Sequence, residues 1–242
     1  MYPYLIRIGG LSLPAYPMLY GSGIAVAGII AIWLGKREGI DPRKLAHVLL
    51  IMAISILLGG RLMYVLIYSS EFQGRWSEAF NLARGGQVHY GGVILAVIGG
   101  IYAIKKMRLS LSRMTDVLAV GAPLGVAVGR LGCFCRGCCF GRQTDLPWAV
   151  QFPPFIDLHG NVIGSPAFLH HVETAGLAKS APCSFPVHPS QLYSIAVALL
   201  LFAIMLTIWK SGRFRGRLML VYLFLYTIAR FSIEFTRVNV TA

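Results

Sequence analysis

Acidic side chains are scarce in this chain. Asp and Glu account for nine of 242 residues, and all charged types together for 13%. A soluble globular domain carries about twice that share of charge. The deficit, with 56% hydrophobic residues and a mean hydropathy of +0.67, excludes an ordinary soluble domain. Twenty-two basic residues give a net charge of +13. In a soluble chain that balance would suggest nucleic acid. Here the basic residues lie between apolar runs, so they read as membrane-orientation signals and no nucleic-acid partner is expected. The first apolar run also lacks a basic n-region and a small-residue cleavage site. It therefore reads as a retained helix rather than a removable signal peptide.

What is abundant is apolar length. Six runs stand out, at about 15–34, 46–68, 86–104, 115–135, 188–209 and 218–235, each near the roughly 20 residues that cross a bilayer. The third is the weakest, with a short core and Gly91, Gly92, Gly99 and Gly100 available for close helix packing. The reading is an all-α integral membrane protein of about six transmembrane helices, one membrane domain over 1–242. Basic residues alternate between connections. The first carries Lys36, Arg37, Arg43 and Lys44; the third Lys105, Lys106, Arg108 and Arg113; the fifth Lys210, Arg213, Arg215 and Arg217. In the second, Arg75 and Arg84 are offset by Glu71 and Glu78. The positive-inside rule puts the first, third and fifth connections in the cytoplasm. Both termini and a long extramembrane loop, 136–187, then face outward. The bacterial inner membrane is the expected location. Six prolines break the loop, which reads as a cap over a cavity mouth.

Four ionisable residues fall within apolar runs: Arg61, Arg130, Arg230 and Glu234. Each such charge costs roughly 2.5–3.5 kcal/mol at mid-helix, so it normally faces a partner or a cavity. Arg230 and Glu234 are four apart and share a helix face. A structural ion pair with snorkelling arginines accounts for some of this. The surplus of arginine points further, to an anion, and a guanidinium fork suits phosphate oxygens. The nearest abundant phosphate is that of membrane lipid. Tyr16, Tyr20, Tyr64, Tyr68 and Tyr226 fit the rim of such a cavity, and all but Tyr226 also fit an ordinary interfacial belt. "VHYGG" places His89 and Tyr90 at a helix end, where either serves proton transfer or structure. "VHPSQLYS" opens the fifth helix, with Ser190 as its cap and His188 at the water boundary.

The blocks "LPAYPMLYG", "GGRLMYVL", "GGQVHYGGVI", "GRLGCFCRGCCFG", "HPSQLY" and "YTIARFSIEFTR" occur in that order. Together they resemble the prolipoprotein diacylglyceryl transferase family over nearly the whole chain. The resemblance implies an inner-membrane enzyme that moves diacylglyceryl from phosphatidylglycerol to the lipobox cysteine thiol of a prolipoprotein signal peptide. Glycerol phosphate is released, and no metal or organic cofactor is implied. By resemblance, Arg130 and Arg230 hold the head group and its leaving phosphate. Glu234 and Tyr226 match the last motif, Tyr16 the first helix, and Arg61 the "GGR" block.

The chain departs from that family at three places. The family's "HGG" histidine falls on Tyr90, with His89 one residue earlier, a turn of about 100° on a helix. Its signature asparagine and glutamate fall on Cys133 and Cys138. Its usual members continue into one more helix beyond "EFTR". These departures leave open a paralogue with another acceptor, and a non-enzymatic phospholipid-binding or lipid-moving protein. Four of five cysteines, Cys133, Cys135, Cys138 and Cys139, lie within seven residues. Four readings stay open for them. One is a disulfide, such as Cys135 with Cys138, or either with Cys183. The others are buried inert thiols, a catalytic thiolate, and a zinc site completed by His159, His170, His171 or His188. A second C-x-x-C is lacking, which weighs against zinc.

Overall fold

A computed structural model describes residues 4–8, 11–74, 76–80, 86–156 and 162–238. Arg75, Arg84 and His159, named above, lie outside the described residues. Seven α-helices run in chain order among the described residues: α1 (Ala15–Arg37), α2 (Pro42–Ile67), α3 (His89–Lys106), α4 (Leu111–Arg136), α5 (Pro166–Thr174), α6 (Ser190–Lys210) and α7 (Leu218–Glu234). All six apolar runs are helices. The all-helical expectation needs one amendment: two small antiparallel pairs, β1 (Tyr4–Ile8) with β2 (Leu11–Pro14) and β3 (Phe155–Ile156) with β4 (Val162–Ile163). Helices α1, α2, α4 and α6 are long and apolar enough to cross a membrane.

The hydropathy pattern misplaces some helix starts. The second run begins at Pro42 rather than near 46, because Asp41 caps it: its Oδ1 accepts from the Arg43 amide at 2.9 Å, with Pro42 in the first turn. That is a strong N-terminal signal. Ser190 is not the cap of α6. Pro189 occupies that position without a side-chain bond, and the Ser190 hydroxyl is used elsewhere.

The chain folds as two compact units, Gly28–Leu118 and Met1–Ala27 with Ala119–Ala242. In the first, α2 and α3 lie backbone to backbone. A methyl group on Gly92 would meet the Ile56 carbonyl at 2.7 Å, and one on Gly99 would meet the Ser55 hydroxyl at 2.6 Å. This is the small-residue packing of membrane helices, which lack a hydrophobic drive between them. Ile40, Leu45, Val48, Ala103, Ile104 and Met114 form its buried cluster. The outward faces carry the large apolar side chains: on α3, Val93, Ile94, Val97, Ile98 and Tyr102 are exposed. That inversion of the soluble pattern suits a lipid solvent.

In the second unit, α1 meets α4 through Gly23 and Gly125, where an added methyl on Gly23 would meet the Gly125 carbonyl at 2.6 Å. The described residues of 136–187 have their own core of Phe140, Phe152, Ala167 and Val187. Helix α5 lies within this stretch and was not expected. Its start is nonetheless written as Ser165-Pro166, with the Ser165 hydroxyl accepting from the Phe168 amide.

Candidate functional site

Three helices of the second unit line a narrow, partly open crevice. Each contributes one face at helical spacing. Helix α4 gives Pro123, Val126 and Arg130; α6 gives Ser194, Val197, Ala198 and Leu201; α7 gives Tyr222, Tyr226, Ala229, Arg230 and Ile233. The lining is mainly apolar, and its two cations are Arg130 and Arg230. Such a lining offers arginine forks to an anion and aliphatic walls to a chain attached to it.

The arginines are tethered differently. Arg230 pairs with Glu234 one turn on, and Glu234 also lies 3.6 Å from Arg237. Arg130 lies close to Cys133, Cys139 and Tyr226. Tyr16, on α1, faces Cys133, Cys138 and Cys139, and its ring lies under the Arg136 guanidinium at 5.6 Å. Thus Tyr16, Tyr226, Arg130, Arg230, Glu234, Cys133 and Cys138, each anticipated from the sequence, fall in one neighbourhood.

The turn after α4 has a local cause. Gly137, at φ +73°, takes the left-handed position that follows a helix. The Cys138 amide bonds the Cys133 carbonyl at 3.1 Å, and the Gly137 amide bonds that of Phe134 at 3.1 Å. These two bonds define a Schellman motif, which folds the residue after the glycine back over the last turn. Cys138 is thereby brought onto Cys133. Cys139 follows at φ +59°, an uncommon conformation for a non-glycine residue. The Sγ atoms of Cys133, Cys138 and Cys139 all lie within 4.8 Å of one another. The Cys138 thiol donates to the Cys133 carbonyl at 3.7 Å. All five cysteines are free. The disulfides allowed by the sequence are therefore not formed: Cys135 and Cys183 stand apart from the sulfur group. His170 and His171 pack instead against Phe140, with ring centroids at 5.6 and 5.9 Å.

The "HPSQLY" block fastens this turn. The Ser190 hydroxyl donates to the Cys139 carbonyl at 2.8 Å, and the Gln191 amide nitrogen to the Cys138 carbonyl at 2.8 Å. His188 receives the Gly141 amide on its own carbonyl at 3.0 Å. Its Nδ1 lies 3.3 Å from the Tyr193 hydroxyl, which accepts from Trp148 at 2.7 Å. From the other side, Gly141 bridges to Arg237, and the Arg142 amide bonds the Thr236 carbonyl at 2.9 Å. Sequence reading passed over Gln191 and Arg237 as site residues. The "SQ" following the histidine and the final arginine of "EFTR" were the only signals for them.

Arg61, His89 and Tyr90 belong to the other unit. Arg61 is buried, and its fork donates to the carbonyls of Ala79 (2.7 Å), Gly86 (3.2 Å) and Glu78 (2.8 Å). Its plane is flanked by Tyr64 and Phe72 at 5.5 Å. This arginine organises the connection between α2 and α3. His89 and Tyr90 open α3 with both side chains exposed, their rings 6.2 Å apart and edge to face.

The sequence supplies the family. The family model of prolipoprotein diacylglyceryl transferase matches residues 3–242. The chain belongs to that family. It is 32% identical over 240 residues to the phosphatidylglycerol–prolipoprotein diacylglyceryl transferase of Bordetella bronchiseptica, covering 97% of this chain and 82% of the relative. Against the proteins of that name from Geobacter sulfurreducens and Pseudomonas fluorescens Pf-5, identity is 29% over 239 residues and 31% over 244. Those alignments cover 97% and 98% of this chain, and 82% and 80% of the relatives. As a family member with four long apolar helices, the chain is a multi-pass membrane protein.

Proposed function

We propose that this transferase-family member draws diacylglyceryl from phosphatidylglycerol and delivers it to the lipobox cysteine of a prolipoprotein signal peptide. The observation that carries the reading is the crevice with Arg130 and Arg230 set in otherwise apolar walls. A phospholipid needs both halves of that lining: forks for the phosphate and aliphatic walls beneath them. The acceptor sulfur attacks the glyceryl carbon next to the phosphate oxygen. The carbon–sulfur bond forms as the carbon–oxygen bond breaks, and the bonding pair leaves on the phosphate oxygen as glycerol phosphate. The thiol proton goes to a base. Arg130 and Arg230 stabilise the charge that gathers on the leaving group, a contribution of roughly 3 kcal/mol per fixed donor. Glu234 orients Arg230 through their ion pair, and Tyr226 and Tyr16 line the approach. His89 or Tyr90 takes the proton in this reading, and His188 supports the turn that carries the sulfur group. The enzyme works in the bacterial inner membrane with both termini and the 136–187 body outward.

The test follows glycerol phosphate release and thioether formation on a lipobox peptide, using purified protein and phosphatidylglycerol. Arg130→Lys should lose about 100-fold or more in turnover while expression and melting temperature hold, since an ammonium lacks the bidentate fork. Normal turnover by Arg130→Lys would overturn the phosphate clamp. His89→Ala and Tyr90→Phe, run separately, identify which side chain bears the proton. Glycerol phosphate release without peptide modification would point to a different acceptor. Release of nothing would leave a phospholipid-binding protein.

A further inference from the structure

Among the described residues, Cys133, Cys138 and Cys139 are the one group of three or more metal-capable side chains whose ligand atoms converge. The Schellman turn accounts for two of these thiols. Contact between the third-last helical residue and the second residue beyond the helix is an ordinary part of that motif, usually made by apolar side chains. It does not account for the third. Cys139 reaches the group only by adopting φ +59°, which costs a β-carbon-bearing residue on the order of 1 kcal/mol. Two side chains of α6, one of them the fully buried Gln191, hold the carbonyls of the two last cysteines in place. A strained position fixed from outside indicates a function for the group it presents.

The geometry fits a soft metal. Thiolates bind zinc tetrahedrally at about 2.3 Å, which puts the sulfurs about 3.8 Å apart. Separations within 4.8 Å need only small side-chain rotations to reach that value. Charge fits as well. Three thiolates and a divalent cation carry one net negative charge, and the cations Arg130 and Arg237 both lie near Cys139. Cys133 is buried, whereas Cys138 and Cys139 are partly exposed. One side of the triad is therefore open, as in catalytic sites with three protein ligands.

We infer that Cys133, Cys138 and Cys139 form a three-thiolate site for a zinc-class cation whose open position takes the acceptor thiol. The inference rests on the transferase reading above and departs from the metal-free chemistry that the family resemblance implies. It explains how a chain with cysteines at the family's asparagine and glutamate positions activates its nucleophile. A thiol bound to such a cation is deprotonated outright. Its proton passes to the base of the transferase reading, and the sulfur lone pair attacks the glyceryl carbon beside Arg130. The carbon–sulfur bond forms and glycerol phosphate leaves with its electron pair. The product thioether is neutral, a poorer ligand than the thiolate, and dissociates.

The experiment uses the full-length protein in detergent, stripped by chelator and titrated with Co2+ and Cd2+. One equivalent should bind, with a thiolate-to-metal absorption band. The band should vanish in Cys133→Ser, Cys138→Ser and Cys139→Ser, and persist in Cys135→Ser and Cys183→Ser, which report that substitution at a cysteine leaves the fold intact. Adding a lipobox peptide should shift the cobalt spectrum toward four sulfurs; its Cys→Ser version should not. Absence of the band, or its persistence in Cys139→Ser, overturns the site. Full-rate transfer by chelated protein overturns the inference while leaving the transferase reading intact; the expected loss is about 100-fold. A band that responds to the peptide without any transfer supports the metal site and overturns the transferase reading.

Discussion

At the scale of single residues, the structure separates arginines that look alike in the sequence. Arg61, Arg130 and Arg230 all interrupt apolar runs. Arg61 is buried with its donors on three backbone carbonyls, so its cost is met by holding a connection together. Arg130 and Arg230 line an opening. Nothing in hydropathy distinguishes these cases, because the carbonyls that receive Arg61 lie 17 to 25 residues away. Gln191 shows the converse. A polar residue one position inside a membrane helix, it is completely buried and donates to the Cys138 carbonyl. Gln191→Leu keeps the volume and removes the donor. It should cost roughly 1–3 kcal/mol, the price of an unsatisfied buried carbonyl, seen as a lower melting temperature in detergent. Loosening the turn should also weaken Co2+ binding. An unchanged melting temperature and metal affinity would mean that the turn holds without α6.

At the scale of elements, the helices were legible and the loop body was not. Long apolar runs bounded by basic clusters mark α1 to α4, α6 and α7 because a membrane helix must satisfy its backbone internally. Asp41-Pro42 and Ser165-Pro166 were readable starts that hydropathy alone overlooks. The body between α4 and α6 depends on pairings such as Arg142 to Thr236 and Phe152 to Ser184, which no local pattern announces. One of its joints, His171, is sensitive to pH. This side chain is buried, and its Nδ1 accepts the Phe185 amide at 3.2 Å. Burial, then the neighbouring His170, hold its pKa below the ordinary histidine value. A depressed pKa means that the folded state prefers the neutral ring. The joint is therefore intact above the ordinary value of about 6.5, and its stability falls as pH drops from there through the folded value. Protonated imidazole has no acceptor, so the Phe185 bond is lost with it. The protection factor of the Phe185 amide should fall between pH 7 and pH 5, and His171→Phe should remove that pH dependence. Equal protection at both pH values would rule out the joint.

At the scale of the whole molecule, direction across the membrane remains to be derived from charge. The turns between α1 and α2, α3 and α4, and α6 and α7 are each flanked or filled by lysine and arginine. The turn after α4 and the loop body are poorer in basic residues for their length. If every apolar helix crosses once, the basic turns share one side, and the positive-inside rule makes it the cytoplasm. Helix α7 decides on which side Glu234 and Arg237 lie. With 17 residues, α7 extends about 26 Å against a hydrocarbon core of about 30 Å. It is short for a span, yet Leu220, Leu223, Phe224, Ile228 and Phe231 keep a continuous exposed apolar face along it. A helix resting on the surface would present charge on its outer face, and this one does not. Slight thinning of the bilayer around α7 costs only fractions of a kcal/mol per Å. In that orientation Arg213, Arg215 and Arg217 at its start anchor the cytoplasmic end, and Glu234 and Arg237 emerge outside, with Arg237 beside the sulfur turn. A reporter active only in the cytoplasm should be bright when inserted at 211–217 and silent when fused after Ala242. A bright C-terminal fusion would mean that α7 turns back, which would put the Arg230 end of the crevice on the wrong side for a lipid of the outer leaflet.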